Sequence, residues 1–379
     1  MTNPPIHERS VQWAATMEGH HIEDQAITLA HADSWAGTGE ARIANRFERE
    51  DQQDHSMAPL ATRATGGGTR VAEEEPDPFR TCFERDRDRI LHASAFRRLA
   101  GKTQVFVFPE DHQRTRLTHA LEVAQVAVSV SRALRLNVAL AEAIALGHDC
   151  GHGPGGHASE DALSHYIQGG YDHAVWGADV VLVPLNLCAE TLDGIRNHSW
   201  SRPAPLTPEG EVVSWADRIA YVCHDFEDAV DTGVVTPNQL PELVRELCGT
   251  TRREQLSAFI TSMIMAADAT GKVGMEPHVA EALAQFRKFN YEHIYQRKES
   301  RAQADSVISM LRALTEFYIA SPSLLPEFGN HPCDPHSVQA AHHAVTYVGG
   351  MTDRFACRQA LTLLNYPRHQ LPQGIDSFF

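Results

Sequence analysis

From residue 79 onward, the apolar residues of this chain recur at helical spacing. In TCFERDRDRILHASAFRRLAG, Phe83, Ile90, Leu91, Phe96 and Leu99 fall on recurring faces, with arginines between them. The spacing predicts a second helix over 117–136, where Leu121, Ala124, Val128 and Leu134 line up and Thr118 stands ready to cap the start. Asn137 opens a third, NVALAEAIALGHD, which runs into the glycine-rich turn CGHGPGGH. Further helices are expected at ASEDALSHYIQ and over 187–198, 212–230, 239–248, 252–267, 276–298, 302–320 and 337–347. Alternating, strand-like patterns are nearly absent, and VFVFP is the best candidate for one. The expected fold class is all-α: an irregular multi-helix bundle with at most a short hairpin near Val105 to Pro109.

The first 78 residues read differently. The triple glycine Gly66 to Gly68, the acidic run Glu73 to Glu75, Pro76 and Pro78 mark a linker. We expect an N-terminal arm over 1–78, loose or ordered by a partner surface, with a short helix near 35–50. A core follows over 79–235, and a C-terminal helical part over 236–379 packs on it.

Composition narrows the function classes. A chain of 379 residues, 42% hydrophobic and 22% charged, is long enough to bury a core without disulfide or metal. It has no run of 18 apolar residues, so a membrane-spanning helix is not expected. The N-terminus lacks a basic stretch followed by an apolar one, which argues against a secretory signal. A net charge of −16 opposes nonspecific binding to long nucleic acid, although it leaves room for a local basic pocket. Seven scattered cysteines without a CxxC pair fit a reduced, cytoplasmic chain.

The chemistry concentrates between residues 148 and 173. His148, His152, His157, His165 and His173 alternate with Asp149, Glu160, Asp161 and Asp172. A lone histidine is usually structural, but a His-Asp dipeptide at the end of the apolar run AEAIAL is different. Burying an imidazole and a carboxylate there costs desolvation free energy, which a divalent cation would offset by taking both as ligands. His119 upstream and Asp217 downstream would complete four N/O ligands from three helices, a set suited to Mn, Fe, Zn or Ni. His157 and Glu160, three apart at a helix start, share a face; the carboxylate either orients a general acid or merely favours the helix N-terminus. Asp217, Tyr221 and Asp225 share another face at four-residue spacing, with Tyr221 also readable as core packing. Arg116 lies one turn before His119, on the same face of that helix. The run Arg80, Arg85, Arg87, Arg89, Arg97 and Arg98 reads equally as an effector or subunit surface or as a solvated face paired with Asp86 and Asp88.

These segments together resemble one family. RTCFERDRDRILHASAFRRLAGKTQVF, RTRLTHALEVAQ, EAIALGHDCGHGPGGHASEDAL, YDHAV, LNLCAETLDGIRNH and ADRIAYVCHDFEDAV follow the order and spacing of the HD-domain deoxynucleoside triphosphate triphosphohydrolases, the dGTPase-like proteins. The likeness covers about 79 to 231, with weaker echoes at FNYEHIY and TYVGGMTDRFA. It implies that 79–235 is an HD-type catalytic core in which His119, His148, Asp149 and Asp217 hold one divalent metal. It implies that His157 and Glu160 form a catalytic pair with His173 beside them. Tyr221 and Asp225 would hold the deoxyribose, Gln104 would lie near its 3′-hydroxyl, and Arg116, Arg218 and His152 would face phosphate oxygens. The implied reaction converts a deoxynucleoside triphosphate to deoxynucleoside and inorganic triphosphate, with Mg or Mn accompanying the triphosphate. A homo-oligomer with a dNTP effector follows from the resemblance alone.

The chain departs from the family where Gly155 replaces a bulky turn residue, Cys150 an aliphatic one, and Ala174 an asparagine after His173. Two alternatives stand beside the main reading. One is another HD-type phosphohydrolase acting on nucleoside monophosphates, (p)ppGpp or cyclic dinucleotides; a dinuclear site would need a second histidine pair, and none is expected. The other is a nucleotide-binding regulatory subunit of low activity, against which the presence of both His157 and Glu160 argues.

Overall fold

The computed structural model describes residues 7–17, 19–22, 27–40, 42–109, 112–326 and 333–372. The chain divides into two compact units, Met1–Ala44 and Asn45–Phe379. The first holds helix α1 (Glu8–Thr16) and a two-stranded antiparallel pair, β1 (His20–His21) and β2 (Thr28–Leu29).

The second is helical throughout. Its elements are α2 (Arg46–Ser56), α3 (Cys82–His92), α4 (Ser94–Arg98), α5 (Arg116–Ala133), α6 (Val138–Gly147), α7 (His157–Leu163), α8 (His173–Trp176), α9 (Ala189–Arg196) and α10 (Pro208–Asp231). They continue with α11 (Glu242–Cys248), α12 (Arg252–Thr270), α13 (Pro277–Asn290), α14 (Lys298–Ala320), α15 (Val338–Gly349) and α16 (Asp353–Leu364). The helix starts are chemically marked. Asn45 with Glu48, Thr81 with Glu84, and Thr251 with Glu254 each exchange side-chain and backbone hydrogen bonds, so two orphan donors are satisfied at once.

Two apolar cores form. The larger surrounds α6, which packs among α3, α5, α9 and α10. The smaller joins α7 to α14, α15 and α16. Residues 45–78 belong with this unit. Glu209, fully buried at the start of α10, accepts hydrogen bonds from Thr62 N, Thr62 Oγ1 and Asn137 N. Arg70 pairs with the buried Asp86 at 2.6 Å.

The all-α expectation holds, with local corrections. The strand pair lies at 20–29, whereas residues 105–108 form bends. Val105 and Phe106 lean on the larger core and Val107 and Phe108 on the smaller, so the segment bridges two cores instead of pairing with a strand. The cap of α5 is Thr115; Thr118 sits one turn in and accepts the Thr115 N–H at 3.1 Å. The helix expected at 35–50 is α2, beginning at Arg46. Helix α16 was not among the expected elements. The arginine run is largely paired: Arg80 with Asp77 and Asp88, Arg85 and Arg89 with Glu74, Arg87 with Asp88.

Candidate active site

The site begins where α6 stops. Leu140, Ala141, Ala143, Ile144, Ala145 and Leu146 are buried, and the helix presses closely on α9. A Cβ on Gly194 would lie 2.3 Å from Ile144, and one on Gly147 would lie 2.5 Å from Ile195. This contact brings His148, just past α6, beside His198, just past α9; their ring centroids are 5.0 Å apart. Each ring is oriented in the same way, its Nδ1 held by the carbonyl three residues back: Ala145 at 2.6 Å for His148, Ile195 at 2.8 Å for His198. That leaves both Nε2 atoms aimed into the site.

Helices α5 and α10 bring His119 and Asp217 to the His148–Asp149 pair. His119 Nε2 lies 3.0 Å from Asp217 Oδ1, and His148 Nε2 lies 3.6 Å from the same oxygen and 3.4 Å from Asp149 Oδ1. His148 Nε2 is buried and makes no hydrogen bond. Burial depresses the His148 pKa, but the Asp149 and Asp217 carboxylates outweigh it and lift it to about 9. Burial works against the ionised form of both carboxylates, yet Arg116 and His148 beside Asp149, and His119 and His148 beside Asp217, hold them well below the usual range. The pocket thus demands positive charge at Nε2, as a proton or a cation, and the donor set fits a divalent metal. Candidate His/Asp clusters for such an ion are His119–His148–Asp217 and His148–Asp149–His198.

The turn between α6 and α7 carries the second group. Gly155 and Gly156 have φ of +73° and +63°, a region that favours glycine. A Cβ on Gly155 would also meet Val307 of α14 at 2.5 Å, so Val307 leaves no room for a side chain there. Beyond the turn, His157 Nδ1 lies 2.9 Å from Glu160 Oε2, and His173 Nδ1 lies 2.7 Å from Glu160 Oε1. Burial raises the Glu160 pKa, but the bonds to His157 and His173 outweigh it and hold the carboxyl far below the usual range. His173 stacks on His152 with centroids 3.7 Å apart.

Gln104, Arg116, His119, Asp149, His152, His157, His173, Asp217, Arg218, Tyr221 and Asp225 all line one cavity of about 480 Å³. His148 and Glu160 stand directly behind them. Arg116 Nη1 is tied to Asp149 at 2.7 Å, and the Arg218 guanidinium lies 3.5 Å over the Trp200 ring. Burial pushes Asp225 up to about 7; its Oδ2 accepts the Tyr295 hydroxyl at 2.5 Å, while Oδ1 makes no bond. Tyr221 is no mere core residue: its hydroxyl accepts from Arg287 Nε at 2.8 Å at the cavity wall.

Sequence reasoning passed over His198, Arg287 and Tyr295. His198 sits 3.3 Å from His173, Nε2 to Nε2, so a second histidine pair does exist beside the metal cluster, contrary to expectation. Burial, with His148 and His173 nearby, takes the His198 pKa down to about 3 and keeps it neutral. Its signal was the ending GIRNH, a histidine closing a helix as in ALGH.

The sequence that builds this site has counterparts in known proteins. A family model described as HD domain matches residues 116–222, from Arg116 through Val222. A second, described as Phosphohydrolase-associated domain, matches 273–361. A deoxyguanosinetriphosphate triphosphohydrolase-like protein of Caldanaerobacter subterraneus subsp. tengcongensis is 38% identical over 330 residues, covering 85% of this chain and 95% of that protein. Proteins with the same description from Clostridium perfringens and Desulfatibacillum aliphaticivorans are 38% and 34% identical, over 76% and 83% of this chain and 87% and 95% of theirs. With likeness over most of both chains and an HD cluster assembled at its centre, the chain belongs to the deoxyguanosinetriphosphate triphosphohydrolase-like family of HD-domain proteins.

Proposed function

We propose that the chain hydrolyses deoxynucleoside triphosphates to deoxynucleoside and inorganic triphosphate, in a divalent-metal-dependent reaction. One observation carries this reading: a single cavity collects a cation-demanding His/Asp cluster, a His–Glu pair and two unsatisfied acceptors suited to a sugar hydroxyl. The curated relatives, described as deoxyguanosinetriphosphate triphosphohydrolase-like, support the substrate class.

His119, His148, Asp149 and Asp217 would hold the metal. When bound, the ion would polarise an α-phosphate oxygen and acidify water. Asp225 Oδ1, buried without a protein partner, would accept the 3′-hydroxyl proton, with Gln104, whose Oε1 is likewise unpartnered, beside it. Tyr221, fixed by Arg287, would close over the sugar. Arg116, Arg218 and His152 would draw the phosphate chain into place, and Mg or Mn would accompany it. Attack of water at the α-phosphorus breaks the bond to the 5′-oxygen, which needs a proton as it leaves. Glu160 holds Nδ1 of His157, so Nε2–H of His157 is the group free to supply that proton, with His173 bracing Glu160 from the other side.

The reading also includes a cytoplasmic location, from seven scattered cysteines without a CxxC pair, and a homo-oligomer responsive to a dNTP effector, by family likeness. Product analysis tests it. Purified protein is incubated with each dNTP, singly and mixed, in Mg²⁺ and in Mn²⁺, and the products are separated by ion exchange. Deoxynucleoside plus intact triphosphate is the expected outcome, and activity only in the mixture would identify an effector. Release of pyrophosphate or of orthophosphate alone would overturn the assignment of the broken bond.

A further inference from the structure

Behind the cavity wall, Asp353 at the first turn of α16 is 5% exposed. Its Oδ2 accepts from Thr103 N at 2.8 Å and Thr103 Oγ1 at 2.6 Å, and its Oδ1 accepts from Gly155 N at 2.8 Å. Thr103 precedes Gln104, and Gly155 opens the two-glycine step that leads into His157. A single buried carboxylate therefore bonds the backbone beneath two groups on the cavity wall. Beside it, Lys102, 2% exposed, donates from Nζ to the His152 carbonyl and, at 3.0 Å, to the Gly349 carbonyl at the end of α15. The 102–103 segment, the histidine-bearing turn and the α15–α16 junction thus meet in one hydrogen-bonded knot. Asp353 itself does not line the cavity.

We infer that Asp353 is a positioning residue that sets the placement of Gln104 and His157 relative to each other, so that the C-terminal region holds the active site in register. This rests on the proposed hydrolase reading. A buried carboxylate is costly to place there even with three donors bonded to it, and the position of those donors offers what its placement achieves. Backbone shifts well under the width of an atom are enough to matter, because proton delivery depends on near-contact geometry.

The test uses the full chain. A carboxamide has one acceptor oxygen, so Asp353→Asn can serve Thr103 or Gly155 but not both, and its amide group faces the other donor. We expect kcat to fall about tenfold to a hundredfold, with bound metal by elemental analysis and cooperative melting retained. On a His157→Ala background, the same substitution should cost less than about twofold more, since residues acting through one group are not additive. A full further loss in that background, or loss of metal or of cooperative melting in Asp353→Asn, overturns the inference by making the residue one of general stability. Thr103→Val, which removes only the Oγ1 donor, should raise the KM for dNTP several-fold with kcat nearly unchanged; an unchanged KM also overturns it. Absence of dNTP hydrolysis by the wild-type chain would instead sink the hydrolase reading.

Discussion

His148 and His157 flank one turn and serve one cavity, yet the His148 side chain is 1% exposed and that of His157 is 74% exposed. Around His148, Asp149 is buried and Asp217 mostly so, and their charge faces imidazoles and the guanidinium groups of Arg116 and Arg218. Around His157 a single carboxylate, Glu160, leaves the ring open to the cavity and to solvent. In the proposed reading the first arrangement is completed by an ion. The second, in the same reading, is completed by a substrate and regains its proton from water. On that reading burial separates metal holding from proton donation within one short stretch of chain.

The largest effect expected from testing this contrast is at the buried side. His148→Ala should lose turnover by roughly a thousandfold or more and lose bound metal in elemental analysis. His157→Ala should reduce kcat by about a hundredfold to ten-thousandfold while keeping both metal content and dNTP affinity; metal loss in that variant would break the division of labour.

Two carboxylates sharpen the contrast through pH. Asp225 has a folded pKa raised by burial to about 7, above its unfolded value, so its ionisation costs stability progressively as pH rises from about 4 to 7. Asp225→Asn should raise the melting temperature by several degrees at pH 8, a gain that vanishes near pH 4, while weakening substrate binding. Glu160 is the reverse. Its depressed folded pKa gives stability that is present above its unfolded pKa and lost as pH falls below it. Glu160→Gln should therefore lower the melting temperature at pH 8, with the difference closing below about pH 4; a constant difference across pH would remove the electrostatic explanation. The smallest effect is expected at Trp200→Ala. Loss of the ring under Arg218 should raise the KM about threefold, leaving kcat and metal content unchanged.

Much of this was legible because helical burial writes a period into sequence. The apolar run ahead of His148 exposed its own helix, and the His-Asp pair at its end stood out as polar chemistry where none is cheap. His198 was harder. Its role depends on Gly194 and Gly147 allowing α6 and α9 to approach, a contact between distant segments that no local pattern reports. Asp353 and Lys102 were illegible for a related reason: each reads as an ordinary charged residue until the fold closes water away from it. Residues 105–108 read as a strand because they are apolar and β-prone, but the pairs 105–106 and 107–108 serve two different cores, a division that a strand pattern does not report.

Helix α10 also acts as a ruler. Asp217 and Asp225 are eight residues apart on one face, about 12 Å at the rise of an α-helix, and backbone hydrogen bonds keep that interval rigid. In the proposed reading one mark lies at the metal and the other at the sugar. The bond to be cut is then measured from the nucleoside end, and the phosphates beyond it leave as one piece, because nothing on the ruler counts them.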